Sequence, residues 1–370
     1  MTDAAHAPVA ARLRAAGMRD DAARGKARLY ARCIAALGAM PPTGDTAVAE
    51  AAFFVPGRIE VLGKHTDYAG GRSLLCAVER GFVVLARPRG DATVRVADAM
   101  LGETRTLALD EGLEVPRADW GAYVAATLRR LARNFPGARR GADLAFASDL
   151  PPASGMSSSS ALSTAVFLAL DAVNGLSETP CYRAAIDSRE ALAGYLGTIE
   201  NGQSFGPLAG DLGVGTFGGS EDHTAILCCR SGMVSRYAFA PVRAEGEIPL
   251  PAGHAFVVAH SGIAAEKGGD AQARYNELSL GVRRLLALWN EATGRADPSL
   301  AAAVESAPQA GHRLREIVRA AAPGDFTPQR LRERLDQFLA ESYVFIPRAA
   351  DALARGDLTA FGALADRSQR

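Results

Sequence analysis

PGRIEVLGKHTDYAGG, residues 56–71, is the stretch from which the rest of the chain is read. Gly57, Gly63, Gly70 and Gly71 surround Arg58, Glu60, Lys64, His65, Asp67 and Tyr68. Glycine lets a backbone turn sharply and come close to a ligand. Polar and charged groups crowded between such turns suit a molecule rich in hydroxyls. The preceding EAAFFV (50–55) reads as a short strand leading into the turn.

The bulk composition restricts what this loop can serve. The 370 residues suffice for two packed domains, with 48% hydrophobic and 22% charged residues, as in an ordinary globular protein. Lys plus Arg and Asp plus Glu both number 41, and this balance argues against a nucleic-acid or anionic-membrane surface as the main role. The five cysteines form no C-x-x-C and the six histidines no H-E-x-x-H, so a zinc site is not expected and a reducing compartment is. No apolar run is long enough to span a membrane, and MTDAAHAPVAARLRAAG lacks the apolar core of a signal peptide. The expected location is the cytoplasm.

Moving outward, residues 1 to about 40 read as Ala-rich helix ending near Gly38, with Pro41 and Pro42 beyond. SLLCAVERGFVVLARPR (73–89) and ATVRVAD (92–98) read as strands around a turn at Arg89-Gly90-Asp91. A helix is expected over 118–134, a strand over 142–150, a helix over 158–173 stopped by Asn174-Gly175, and another from Pro180 to about Glu200. Residues 202–222 read as a Gly-rich loop, 223–242 as a hairpin, and GHAFVVAHSG (253–262) as a buried strand opening a helical second half. Pro249 and Pro251 flank a boundary, dividing the chain into a helical extension (1–45), a first domain (46–248) and a second (249–370).

DLPPASGMSSSSAL (149–162) is a second Gly-containing polar loop, placed between a strand and a helix. A helix N-terminus offers unpaired N–H groups and a partial positive charge, a ready place for phosphate, while serine hydroxyls add donors and a possible Mg²⁺ ligand. A plainer reading has Ser157 or Ser158 only capping the helix. The loop is neither a Walker A motif, lacking G-K-[ST], nor a hydrolase elbow, since position 159 is Ser rather than Gly. A hydrolytic triad of His65, Asp67 and these serines is therefore set aside.

Taken together, the two loops resemble the first and second motifs of galactokinase-type sugar kinases in the GHMP small-molecule kinase superfamily. Arg58, His65, Asp67, Tyr68, Gly70 and Gly71 match the first motif. Pro151, Gly155, Met156 and Ser157–Ser159 match the second, with Ser160 in place of an Ala and Ala153 where a glycine is common. The resemblance covers roughly residues 45–370. It implies an α+β GHMP kinase fold with an N-terminal ribosomal-protein-S5-like α/β domain and a C-terminal ferredoxin-like α/β domain. It also implies an ATP- and Mg²⁺-dependent monosaccharide 1-kinase, a monomer or weak homo-oligomer.

Residue roles follow from the resemblance. Asp222, in GVGTFGGSEDHTAIL, matches the carboxylate that takes the sugar hydroxyl proton, and Arg58 is its partner. An Arg beside a carboxylate lowers its pKa, so Asp222 is expected ionised at neutral pH. Ser154, Gly155, Met156, Ser157, Ser158 and Ser159 would hold the triphosphate, and Ser159 and Glu200 would hold Mg²⁺. Lys64, His65, Thr66, Asp67 and Tyr275 would line the sugar. Each has a plainer alternative: an Asx-type loop residue for Asp222, an exposed helix end for Glu200, core packing for Tyr275. The spacing from Glu200 to Asp222 suggests a loop inserted around Pro207–Val214.

Four further positions depart from the family pattern. Glu60 replaces an Asn, Lys64 a Glu, Glu221 a Met and His223 a Gln. Lys64 puts a positive charge where a negative one is usual, so the sugar is expected to carry an altered C6, as in a uronic acid. Alternatively Lys64 pairs with Glu60 and galactose is the substrate. The third Gly-rich family motif is not found before Arg370, from which the missing C-terminal elements, weak activity and poor stability are expected. The same departures leave open a catalytically silent sugar- and ATP-binding regulator on the same scaffold.

Overall fold

β2 (Arg72–Pro88) is the axis on which the chain is built, and β1 (Ala51–Leu62) runs antiparallel along its whole length. The computed structural model describes residues 7–43, 51–116, 119–151, 155–259, 270–322 and 324–370. Along its other side, β2 pairs β5 (Ala142–Ser148) from Phe82 to Pro88 and β6 (Met233–Ala238) from Arg72 to Leu75. Beyond β5 lie β3 (Thr93–Asp98), parallel to it, and β4 (Glu103–Ala108); beyond β6 lies β7 (Arg243–Pro249). The result is one mixed seven-stranded sheet.

Strand periodicity decides what covers each face. Phe82, Val84 and Ala86 face a core built with α3 (Gly121–Asn134) and α4 (Ser158–Asn174). Val83 and Leu85 point the other way, against Leu29, Cys33 and Leu37 of α2 (Asp20–Ala39). α1 (Ala7–Ala15) packs on α2, whose buried Lys26 pairs with Asp149 at the end of β5. α4 is apolar almost all round, with Ala161, Leu162, Ala165, Val166, Phe167 and Leu170 buried, as suits a helix in mid-core. It stops at Gly175, whose φ of 61° is the left-handed conformation glycine adopts without strain.

α5 (Pro180–Ala185), α6 (Arg189–Asn201) and α7 (Glu221–Cys228) follow, then α8 (Asp270–Thr293), α9 (Leu300–Glu305), α10 (Ala310–Ala320), α11 (Pro328–Ala340), α12 (Ile346–Ala354) and α13 (Leu358–Gln369). α8–α11 share a second core around Leu285, Trp289, Leu314, Leu335 and Phe338, which also takes in Tyr68 and Ala69 from the signature turn. α12 returns to the sheet, where Ile346 and Leu353 pack on Leu62, Leu74 and Val234. The signature turn is thus clasped between the two halves.

Several expectations need correction. Residues 221–228 form a helix, not the first arm of a hairpin; the hairpin is β6–β7. Residues 253–259 form no strand and are largely exposed, Val257 to 89%, because no neighbouring strand pairs them among the described residues. The single helix expected over 180–200 is two, with Ser188 accepting from Ala191 N to start the second. The inserted-loop segment is pinned to α3 by Arg129 on Asp211 at 2.8 Å and by Asn134 on the Ala209 carbonyl. All five cysteines are free, and no helix among the described residues is long and apolar enough to cross a membrane.

Candidate active site

Arg58 leaves β1 and reaches three other segments. Its Nε donates to Asp222 Oδ1 at 2.7 Å, its Nη2 stands 2.6 Å from the same oxygen, and its Nη1 donates to the Gly155 carbonyl at 2.6 Å. Its backbone N–H donates to the Met156 carbonyl. One side chain therefore ties the sugar signature to the serine loop and to α7. Burial opposes its charge, but Asp222, Glu221 and Glu60 together outweigh that and raise its pKa, so it stays a guanidinium. Asp222 sits in the first turn of α7, where a carboxylate is favoured by the helix dipole. Ser160 Oγ donates to its second oxygen at 3.2 Å.

The serine loop ends on α4, which begins at Ser158, so the N–H groups of its first turn have no intrahelical acceptor. Ser157 occupies the cap position at φ 56°, yet its hydroxyl caps nothing; it is buried without a hydrogen-bond partner. The plain capping reading therefore fails for Ser157, and the donors stay available to an anion. Ser158 and Ser159 are half-buried beside it, and Gly155 is exposed. The Met156 side chain lies in the main core and its carbonyl accepts from Arg58 N–H, so Met156 could meet a triphosphate only through its backbone. Ser154 lies outside the described residues.

The signature turn is built around Thr66. This residue was expected to touch substrate, but its buried hydroxyl lies between the Gly63 and Arg72 carbonyls, 2.7 and 2.6 Å away, and its one proton is shared between them. It shapes the turn and has no exposed surface. His65 adopts φ 63° and stacks edge-on to Tyr275 at 5.0 Å; burial, helped by Arg334 and Lys64, lowers its pKa to about 4 and keeps the ring neutral. Asp67 is buried and accepts from Glu221 N–H at 3.2 Å; burial pushes its carboxyl up to about 6. Lys64 is exposed, and its charge acts on the Glu60 carboxyl, favouring the ionised form.

The Gly-rich loop before α7 explains its own composition. A side chain at Gly218 would meet the Tyr275 hydroxyl at 2.8 Å, and one at Gly219 would strike the Asp67 carboxyl. Asn276 fixes the loop by accepting from Phe217 N–H and donating to the Gly215 carbonyl, both at 2.8 Å. Asn201 donates to the Gly218 carbonyl at 2.7 Å. Glu200 Oε1 lies 3.4 Å from His223 Nε2, buried and without a hydrogen bond.

Arg58, Gly155, Ser160 and Asp222 thus meet at one point, and His65, Asp67 and Tyr275 at its flank. Three contributors were not assigned to the site from the sequence. Ser160 stood out only as a departure from the motif. Asn276 was marked only by following Tyr275 in the chain. Arg334, which donates to the His65 carbonyl and to Tyr68 Oη, comes from α11 with nothing local to mark it.

Two family models match the chain: the galactokinase galactose-binding signature over residues 44–88 and the GHMP kinases N terminal domain over 122–202. The galactokinase of Chloroflexus aurantiacus is 30% identical over 313 residues, 84% of this chain and 70% of the relative. That of Roseiflexus sp. (strain RS-1) is 30% identical over 318 residues, 85% and 70%. Among solved structures, Lactococcus lactis galactokinase complexed with galactose superposes with a TM-score of 0.63 at 24% identity, covering 88% of this chain and 75% of that one. The fold is that of the GHMP small-molecule kinases. Within that class the chain belongs to the galactokinase family and is a sugar kinase with ATP as co-substrate.

Proposed function

We propose that this kinase transfers the ATP γ-phosphoryl group to the anomeric hydroxyl of a galactose-like sugar, with Asp222 taking the hydroxyl proton. The observation that carries this reading is the Arg58–Asp222 pair, with Arg58 also bound to the Gly155 carbonyl of the serine loop. Phosphoryl transfer asks mainly for positioning and charge neutralisation, and the pair supplies a cation and a base at one point. As the oxygen of the sugar attacks phosphorus, its proton passes to Asp222, the bond to the leaving ADP breaks, and Arg58 faces the charge that develops. The first turn of α4, from Ser157 to Ser159, would hold the phosphates through its unpaired N–H groups.

The residues present fit Mg²⁺. This ion prefers one or two protein oxygens plus phosphate oxygens, and Glu200 carries a buried carboxylate oxygen with no hydrogen bond. Ser159 and Glu200 would hold it, and when bound it would neutralise phosphate charge. Free cysteines support a reducing, cytoplasmic setting.

His65, Asp67 and Tyr275 would contact the sugar. Asp67 can accept from sugar hydroxyls only as a carboxylate, so KM for the sugar should rise as pH falls through about 6. A KM flat from pH 5 to 8 would count against Asp67 as a sugar ligand. Lys64 is exposed and puts a positive charge where the family pattern has a Glu, which supports a uronic acid over plain galactose. A charge-assisted contact is worth about 1.5–3 kcal/mol, or roughly tenfold or more in kcat/KM. In a screen of galactose, arabinose, galacturonate and glucuronate, a uronate should lead by that margin, and Lys64→Glu should reverse the order. Equal or better turnover of galactose by the unaltered chain would exclude the uronate reading.

A further inference from the structure

The backbone of His65 is held under strain. Its φ of 63° lies in the left-handed region, which a residue with a side chain occupies at a cost and keeps only where its surroundings hold it. In this conformation the imidazole stands edge-on to Tyr275, ring centres 5.0 Å apart.

The hold comes from α11, far along the chain. Arg334 Nη2 donates to the His65 carbonyl and, at 3.1 Å, to Tyr68 Oη, and the guanidinium lies 5.6 Å from the centre of the Tyr68 ring. Arg334 Nη1 donates to Gln337 Oε1, and Gln337 Nε2 donates to the Lys64 carbonyl at 3.3 Å. Residues three apart share one face of a helix, so a single face of α11 takes two successive carbonyls of the turn. The approach is close: a side chain at Gly71 would strike the Phe338 ring at 2.8 Å. α8, which carries Tyr275, packs on α11 through the second core. Helices of the second half therefore supply both the hold on the His65 backbone and the ring that its imidazole meets.

Arg334 is a costly way to fasten two segments. It is 8% exposed, these acceptors are all neutral, and its Nε is buried with no hydrogen bond. A charge buried against neutral groups and a buried donor without an acceptor both cost stability. Packing alone does not call for a guanidinium here, whereas fixing a carbonyl, a phenol and an amide at once does. We propose that Arg334 is a positioning residue for the sugar: with Gln337 it holds His65 in its left-handed conformation, and sugar affinity depends on that hold. The inference rests on the reading of His65 as a sugar contact.

NMR of the full chain with labelled histidines reads the hold directly. The His65 ring signals, assigned by their loss in His65→Ala, should move in Arg334→Met, because the imidazole changes its place beside Tyr275. Kinetics read the consequence. Arg334→Met should raise KM for the sugar about tenfold or more, the weight of a hydrogen bond from a charged donor. KM for ATP should stay within about twofold, and kcat should change less than the sugar KM. His65→Ala should raise the sugar KM as well, and in that background Arg334→Met should add little, since its effect passes through His65. Gln337→Leu, a milder change, should move the ring signals and the sugar KM in the same direction, and it decides the matter if Arg334→Met does not fold. Unmoved His65 signals, sugar and ATP KM rising together, or full additivity with His65→Ala would overturn the proposal. If His65→Ala leaves the sugar KM unchanged while Arg334→Met still moves the ring signals, the sugar-contact reading fails, and with it the claim on affinity, while the hold of Arg334 on His65 stands.

Discussion

Asp222→Asn should lower kcat by about 10²–10⁴-fold, the range that a positioned general base supplies, and leave the fold intact. The substitution is isosteric. One oxygen is kept to accept from Arg58 or Ser160, which now contact Oδ1 at 2.7 Å and Oδ2 at 3.2 Å. The new amide can take no proton from a sugar hydroxyl. Its NH₂ group would also face a donor, either the Arg58 guanidinium or the Ser160 hydroxyl, so one of those two contacts is lost. Sugar KM should move less than kcat, because Asp222 is held by Arg58 and Ser160, whereas the ring contact of His65 is with Tyr275. Rapid-quench single-turnover measurements with ATP separate the chemical step from product release. A companion variant, Arg58→Lys, keeps the charge but cannot reach Asp222 and the Gly155 carbonyl together, so it too should lose most of kcat. An Asp222→Asn enzyme within tenfold of the original would remove the base from the mechanism.

What could be read from the sequence divides along a physical line. The signature turn and the serine loop were legible because short-range constraints write them: glycines where the chain turns, serines where a helix begins, apolar alternation on either side. Arg58 and Asp222 were legible through those motifs. The helix at Glu221–Cys228 was misread as strand because HTAILCC mixes β-branched and apolar residues without a clear period over so short a span. The strand expected at 253–262 looked sound by composition, but composition cannot show whether a partner strand exists. Thr66 was assigned to the sugar by its place in the motif, although a hydroxyl between two turn carbonyls has local work to do. Arg334 reaches the signature turn through packing between segments more than 260 residues apart, which no local pattern records.

Asp143→Ala should destabilise the chain by about 3–5 kcal/mol, the cost of removing one partner from a buried charge network. Asp143 is 0% exposed at the start of β5, directly opposite Arg87 of β2 and Arg95 of β3. It accepts from Arg87 Nη2 at 2.6 Å, Arg89 Nη1 at 3.0 Å, and Arg95 Nε and Nη2 at 2.6 and 2.7 Å. One carboxylate thus holds three guanidiniums, and only Arg89 has a second acidic partner, Asp91. Without Asp143 the other two would face each other across the sheet centre with no counter-charge. The damage should spread to the exit of α2, because Arg87 and Arg95 also donate to the Met40 and Pro41 carbonyls. Burial alone would raise the Asp143 carboxyl, but Arg95, Arg87 and Arg89 outweigh it and its pKa is lowered. Its contribution is therefore present above the ordinary Asp range and lost as pH falls through the lowered value. Urea unfolding at neutral pH should show the full deficit, and the gap between the two proteins should close in strong acid. Arg95→Met, which removes a cation from an over-supplied site and leaves Asp143 two partners, should cost far less. A deficit under 1 kcal/mol for Asp143→Ala would mean that solvent reaches this cluster and that the sheet centre does not depend on it.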